Sequence, residues 1–571
     1  MTAHWLTPSA DAAAAAGGLS TELGIPPPLA MVLAARGIRD SSSAKAYLRP
    51  TLDQLHDPLL LPDMPSAVDR LIGAIDRAET ILVHGDYDAD GMCAAATATL
   101  GLRRLGADVA GFVPHRTRDG YDLGESGIQR AREIGASLIV TVDCGVTAVG
   151  PVARAAEFGI DVVVTDHHRP GPELPAAVAV VNPVREGSTY PFPGLSGSGV
   201  AFKLLDALFA VRGIPRVELN QHLDLLAIGT VADQMPLLDE NRALTRAGLR
   251  VLAQTRKPGL RALLEVSLGD SQLDVRAEDV AYKIAPRLNS VGRMAEAADG
   301  LELLLTTSES AATSLAARLD HHNAERRTVD RAVTIEVEQK LAEGFDPSRE
   351  AIIVVWGDDW HPGVVGIVAS RVVERWHRPA VVISLDGPRG RGSGRSVDGF
   401  HLFDALRDCD EFLESFGGHP MAAGFTIERC NLEAFADRLR AVAMDRIERR
   451  AERQTLNLDL DISLPDASLA LVDALEHLQP FGAQNPPPLI AARSVGVEQP
   501  SVVGDDGAHL KAVLRSGTVS LPAIGFGMGS RLGELGTGRT YDVAFHLQGD
   551  SWNGRRRLQA QLLDIRPAGA A

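Results

Sequence analysis

Residues 84–91 read His-Gly-Asp-Tyr-Asp-Ala-Asp-Gly, which packs Asp86, Asp88 and Asp90 into five positions. Carboxylates this close repel one another unless a cation lies among them. The pattern begins like a calcium-binding EF-hand loop, whose twelfth position is a bidentate glutamate. Here that position is Thr97, and a β-branched apolar run, Ile81-Leu82-Val83, stands where an EF-hand has a helix. After Gly91 an Ala- and Leu-rich stretch predicts a helix, so the cluster sits in a strand–loop–helix turn. More carboxylates and imidazoles end other apolar runs. LIVTVDCG (138–145) carries Asp143, DVVVTDHH (161–168) ends at Asp166, His167 and His168, and the helical HLDLLAIGTVADQMPL (222–237) carries Asp233. Asp86, Asp88, Asp90, Asp143 and Asp233 with His167 offer more donors than one ion needs. Mixed oxygen and nitrogen donors favour Mn²⁺, or Mg²⁺ with retained waters. Two such ions about 4 Å apart, bridged by a carboxylate, are an arrangement that cleaves phosphate esters.

These groups are far apart in sequence, so the fold has to gather them. VAGFVP (109–114) and AVAVVNP (177–183) add strands, and SGIQRAREIG and VARAAEFG read as helices between strands. Such alternation predicts a mostly parallel sheet, which places ligands at the carboxyl ends of its strands. Residues 308–344 have no proline or internal glycine and predict one long amphipathic helix. From about residue 456, segments such as ARSVGVEQ, HLKAVLRSG, SLPAIGFG, YDVAFHLQGD and RRRLQAQLLDI predict an all-β, OB-type barrel. OB barrels bind single strands through basic grooves and stacked aromatics, and the candidates here are Trp552, Arg555, Arg556, Arg557 and Lys511; Phe526 is expected in the core. The fold class is therefore multidomain α/β. Its expected parts are an N-terminal segment 1–75, a catalytic parallel-sheet domain 76–300, a connecting helix 301–345, a second α/β domain 346–450 and the barrel 456–568.

The chain has 571 residues and a net charge of −17. That charge alone argues against a nucleic-acid binder, but clustered metal ligands inflate it and local basic patches escape the average. No apolar run reaches membrane-spanning length, and the N-terminus lacks the basic start of a signal peptide. Four widely spaced cysteines without a CxxC pair point to reduced thiols and a cytoplasmic location.

DYDADG, TVDCG, TDHH and GTVAD, in that order, resemble the motifs of the DHH phosphoesterase superfamily. GGHPMAAGF (417–425) resembles the GGH motif of its companion DHHA1 domain. WHPGVVGIVASRVVERWHRPAVV (360–382), APRLNSVGRM (285–294), LSGSGVAFKL (195–204) and LQPFGAQNPPPLI (478–490) are similar to segments of the RecJ family of 5′→3′ single-strand DNA exonucleases. The resemblance implies a two-ion exonuclease, using Mn²⁺ or Mg²⁺, that releases 5′-mononucleotides in DNA repair, mismatch repair and recombination. It implies Asp88, Asp90, Asp143, His167 and Asp233 as ligands, with Asp143 bridging. Asp86 and His84 join them as ligands or supports. His168 is expected at the scissile phosphate, with Asp166 orienting a histidine.

GPRGRGSGRS (387–396) reads on its own as a flexible hairpin loop, or as an anion-binding nest. The resemblance places the 5′-phosphate on Ser393 and Arg395, joined by Arg116. It places Arg287, Asn289 and Arg293 on the DNA backbone and His419 on the substrate side. It implies a monomer, with single-strand binding protein and a RecQ-type helicase as partners. Two features depart from the family pattern. Asp122 stands in a loop where the family has glycine, and a second Asp-His-His, 320–322, lies in the helical stretch and is expected to be a solvated face. Two other activities compete: a phosphodiesterase of short oligonucleotides or cyclic dinucleotides, and a non-catalytic single-strand-binding scaffold. The retained ligand set disfavours the scaffold, and the barrel disfavours the small-substrate enzyme.

Overall fold

The computed structural model describes residues 4–116, 118–269, 274–347, 350–446, 455–504, 507–536, 538–552 and 555–569, without the side chains of 550–552 and 555. Eighteen strands among these residues form four sheets. After a short N-terminal strand β1 (His4–Leu6), five strands build the parallel sheet: β2 (Thr80–Gly85), β3 (Asp108–Phe112), β4 (Leu138–Val142), β5 (Asp161–Thr165) and β6 (Ala179–Val181). Their order is β3-β2-β4-β5-β6, and every pairing is parallel. Nearly every residue of β2 and β4 is buried, as their β-branched sequences require in a sheet covered on both faces. Helices Ala89–Arg104 and Gly197–Val211 cover one face, and Glu125–Glu133 and Val149–Glu157 the other.

A helix spanning Glu309–Gly344 then crosses to the second α/β domain, its N-terminus capped by Ser308 Oγ. Leu315 and Leu319 bury in the first domain's core, and Val333, Val337 and Leu341 in the second's. The second domain holds β7 (Ile353–Asp358), β8 (Ala380–Asp386), β9 (Arg389–Arg395), β10 (Leu413–His419) and β11 (Ala422–Glu428), in the order β10-β11-β9-β8-β7. The segment read as a loop or anion nest is thus the central strand β9. Its backbone pairs on both sides, with β8 and β11, so its amides are not free to cradle an anion. Gly390, Gly392 and Gly394 alternate with Arg and Ser because their face is filled by neighbours: a Cβ on Gly392 would lie 2.1 Å from the Phe425 ring.

The last sheets comprise β12 (Thr455–Asn457), β13 (Leu460–Ile462), β14 (Ile490–Val503), β15 (His509–Ser516), β16 (Val519–Gly525), β17 (Thr540–Trp552) and β18 (Arg555–Pro567). The circuit β14-β15-β16-β18-β17 returns to β14, closing a five-stranded barrel. Phe526 is not in its core; it is 58% exposed and meets His509 edge-on. The stretch 1–75 is not one unit. β1 pairs in parallel with β12, Trp5 Nε1 donates to Asp564 Oδ2 at 2.8 Å, and Leu19, Leu29 and Leu33 of the first two helices bury against the barrel. Helix Met64–Asp76 instead belongs to the parallel-sheet core. No described helix is long and apolar enough to cross a membrane.

Candidate metal centre and substrate cleft

β2 has β3 on one side and β4 on the other, so the strand order reverses there. In parallel sheets that reversal opens a crevice at the carboxyl ends, and Asp86, Asp143 and Asp166 follow directly after β2, β4 and β5. Asp143 takes a left-handed φ of 64°, a conformation rare outside glycine and most tolerated by Asn and Asp. Among the described residues, three sets of donor atoms each lie within 4.8 Å of one another: Asp86, Asp88 and Asp143; Asp90, His167 and Asp233; and Asp143, His167 and His168. Asp143 stands in two of them.

The environment of each group shows what the cluster lacks. His167 hydrogen-bonds the Leu195 backbone through one ring nitrogen, so Nε2 presents a lone pair. That Nε2 lies 3.1 Å from Asp143 Oδ1, and neither atom has a hydrogen-bond partner. Asp86 Oδ1 is likewise buried and unpartnered. Acceptors that face one another in the interior call for a cation between them. Burial, and then the neighbouring aspartates, push Asp86, Asp143 and Asp233 well above the usual carboxylate range. Burial pushes Asp90 to about 6. His167 is driven down to about 4 by burial and by the charge of His168, which keeps it a neutral donor. Oxygen and imidazole donors without a thiolate fit Mn²⁺ or Mg²⁺.

Supporting groups hold this arrangement, and two of them, Gly197 and Ser198, have no role in the sequence reading. Asp90 accepts from Gly197 N at 2.7 Å, from Ser198 N at 3.1 Å and from Ser198 Oγ at 2.5 Å, all at the N-terminus of helix Gly197–Val211. A Cβ on Gly197 would lie 2.2 Å from Asp143 Oδ1, so that helix can approach only as glycine. The signal was the SGSG run ahead of an apolar helix. Asn289 Oδ1 accepts from Ala89 N at 2.8 Å and so braces the aspartate loop. Asp122 fits its position with φ 77° and closes its own turn, accepting from Leu123 N and Thr147 Oγ1. His84 stands apart from all three donor sets: its ring packs on Phe112 and against Gly127, and burial lowers it to about 4.

Asp166 Oδ1 accepts from the backbone of His167 and His168 and meets His168 Nδ1 at 2.8 Å. Burial opposes a charge on His168, but the Asp166 hydrogen bond and the nearby carboxylates outweigh it and raise it to about 9. Across the cleft the His419 ring stacks parallel to it at 6.4 Å, so the GGH strand closes over the centre.

Cations gather beside this point. Arg395 Nη1 donates to Ser393 Oγ, Arg293 Nη1 donates to the Gly363 carbonyl at 3.0 Å, and Arg116 lies over the Tyr87 ring. None of the three pairs with a carboxylate among the described residues. Burial and then Arg116 lower Arg395; burial and then Arg116, Arg326 and Arg395 push Arg293 to about 10. Helix Val365–Trp376 begins here without a side-chain cap, and a Cβ on Gly366 would sit 2.9 Å from Ser393 Oγ and 3.1 Å from Arg395 Nη2. An uncapped N-terminus among unpaired guanidiniums is an anion site.

Other expected contacts are committed elsewhere. Arg287 donates to Asp320 and to the carbonyls of Lys283 and Val266, so the second Asp-His-His is in part a structural partner and not wholly solvated. Arg556 is held by Asp473 and Glu476, and does not extend a free basic run. Trp552 and Arg555 face each other across the β17–β18 hairpin, and their side chains lie outside the described residues.

Residues 80–230 match the model of the DHH family N-terminal domain, 349–445 the DHHA1 domain, and 458–564 the RecJ OB domain. Over 549 residues the chain is 37% identical to the single-stranded-DNA-specific exonuclease RecJ of Bacillus subtilis, covering 96% of this chain and 69% of the relative. It is 35% identical to that of Salmonella typhimurium, covering 95% and 96%. A crystal structure of RecJ from Thermus thermophilus in complex with Mn²⁺ superposes with a TM-score of 0.84 at 32% identity, covering 99% of this chain and 80% of that one. With three domains matched in order and this identity over nearly its whole length, the chain belongs to the RecJ family.

Proposed function

We propose that the protein is a metal-dependent 5′→3′ exonuclease that degrades single-stranded DNA to 5′-mononucleotides in repair and recombination. One observation carries this reading: the donor sets Asp86–Asp88–Asp143 and Asp90–His167–Asp233, joined where His167 Nε2 lies 3.1 Å from Asp143 Oδ1, share a cleft with an unpaired arginine cluster and an uncapped helix N-terminus. Asp86, Asp88 and Asp143 would hold one ion, and Asp90, Asp143, His167 and Asp233 the other. Mn²⁺ or Mg²⁺ bound there supplies Lewis acidity and activates water for attack on phosphorus. His168, kept charged by Asp166, donates to an oxygen of the scissile phosphate. Arg116, Arg293, Ser393, Arg395 and the N-terminus of helix Val365–Trp376 hold the 5′-terminal phosphate, which leaves the first phosphodiester at the ions. His419 closes the cleft from the opposite domain, and Asn289 positions the aspartate loop. The barrel, through Lys511, Phe526, Arg557 and the Trp552–Arg555 hairpin, grips the strand further along. The chain acts as a monomer in the cytoplasm, with single-strand binding protein and a RecQ-type helicase presenting the 5′-ended strand.

With Mn²⁺, a 5′-labelled strand should release labelled mononucleotide from the first time point, while a 3′-labelled strand shortens as a ladder. Chelation should stop both. Early release of the 3′ label, or internal cuts, would overturn the polarity. A second check uses the phosphate pocket. Gly366→Ala places a methyl beside Ser393 and Arg395 without touching any charge. It should lower kcat/KM on 5′-phosphorylated strands about tenfold and leave 5′-hydroxyl strands nearly unchanged. Equal losses on both substrates would mean a packing defect.

A further inference from the structure

Helix Ala285–Met294 lines the cleft with one face. Arg293, near its C-terminal end, stands with the phosphate-pocket cations, and Asn289 Oδ1 accepts the Ala89 amide of the aspartate loop at 2.8 Å. The turn ahead of this helix, Val280–Ile284, is a π-turn, in which the Ala285 amide donates to the Val280 carbonyl. Such turns are rare and concentrate at functional sites. This one carries Tyr282, which is 80% exposed, more than any other large hydrophobic side chain among the described residues. Tyr282 makes no hydrogen bond and no ring contact with them.

Positions 282, 286, 289 and 293 are separated by four, three and four residues, the spacing of one helical face. The wider π-turn alters the phase, yet Tyr282 stays within about a quarter-turn of both Asn289 and Arg293. At 1.5 Å per residue it lies about 10 Å beyond Asn289 and about 16 Å from Arg293 along the axis. The order along the helix is thus the order along the substrate: the 5′-phosphate at Arg293, the scissile bond beside the aspartate loop, then the rest of the strand. A strand advances at least about 3.4 Å per nucleotide, so Tyr282 stands no more than about three nucleotides past the ions. The cations nearest to it are committed, Lys283 to Asp279 at 2.7 Å and Arg287 to Asp320 at 2.8 Å. What this end of the cleft offers is a bare ring.

We infer that Tyr282 is a stacking platform for a base just past the scissile bond, which grips the strand before it reaches the barrel. Every base has a π-face, so the contact is tolerant of sequence. The inference rests on the exonuclease reading of the cleft, and the experiment separates the two.

The full chain with Mn²⁺ is given short 5′-phosphorylated single strands in which one nucleotide at a time, from the second to the fifth, lacks its base. The measured quantity is kcat/KM for release of the first nucleotide. In wild type, removal of one particular base should slow release about tenfold, the worth of one stack on an aromatic ring. Tyr282→Ala should lose as much on the intact strand and nothing further on that abasic strand. Tyr282→Phe and Tyr282→Trp keep a ring and should stay near wild type on the intact strand. A merely structural tyrosine would not single out one base. If wild type released no nucleotide from the 5′ end, the exonuclease reading would fall and the inference with it. With that release established, the inference alone is overturned by Tyr282→Ala matching wild type on the intact strand, by its remaining sensitive to the missing base, or by a loss that Tyr282→Phe shares.

Discussion

Asp143→Asn loses at least about 10³-fold in strand degradation, while the metal-free protein becomes more resistant to heat. Both effects come from one carboxylate. Asp143 belongs to the Asp86–Asp88–Asp143 set and its Oδ1 lies 3.1 Å from His167 Nε2 of the Asp90–His167–Asp233 set, so neutralising it should weaken both proposed ion sites at once. Asparagine is nearly isosteric and accepts the left-handed φ of 64°, so the backbone and the contact with Gly197 survive. Without ions, Asp86, Asp90, Asp143 and Asp233 are buried together, and the charge of each raises the cost of the others. Removing one charge relieves that repulsion. Thermal unfolding with and without Mn²⁺ reads both signs: a higher midpoint in chelator, and a smaller Mn²⁺-induced increase, since stabilisation by a ligand follows its affinity. Turnover within tenfold of wild type would refute the bridging role. A lower midpoint in chelator would mean that the cluster is not electrostatically strained.

Arg395→Ala should cost about 10–100-fold in kcat/KM on 5′-phosphorylated strands and little on 5′-hydroxyl strands, so the enzyme stops distinguishing them. The guanidinium lies beside Ser393 on β9, and burial together with Arg116 already disfavours its charge, so an incoming phosphate is its natural counter-ion. Arg395→Lys should recover only part of the loss, since an ammonium cannot reproduce the planar bidentate fork. Competition by short 5′-phosphorylated oligonucleotides gives the same comparison as binding alone. An unchanged preference in Arg395→Ala would move the phosphate elsewhere in the cleft.

The parallel sheet, the connecting helix and the barrel strands were legible because each announces itself locally, through β-branched runs that end in acids or through helical periodicity. The positions of the candidate donors were legible for the same reason: Asp86, Asp143 and Asp166 follow strands, and Asp233 a helix, whose ends the sequence marks. β9 misled because its glycines outweighed its pattern. Arg389, Arg391, Ser393 and Arg395 alternate strictly with glycine, which is strand periodicity with the buried face emptied to admit Phe425. Phe526 misled in the opposite sense, since an aromatic in an apolar strand-like segment is more often core than surface. Nothing local could pair Arg287 with Asp320, set Gly366 against Arg395, or send the first two helices to a barrel encoded hundreds of residues later. Such partnerships are fixed by the assembled shape alone.

That last partnership bears on how the molecule is made. Trp5 and Asp564 are 559 residues apart in sequence and 2.8 Å apart in the folded chain. A ribosome adds roughly 5–20 residues per second, so on the order of 30–110 s separates their emergence. For most of that interval the barrel residues that complete the burial of Leu19, Leu29 and Leu33, which end with at most 2% of their surface exposed, are not yet synthesised. Their helices are born early and must be kept from aggregating while the catalytic domain folds behind them. Docking of residues 4–48 therefore has to wait for the barrel strands, which are encoded from residue 455 onward.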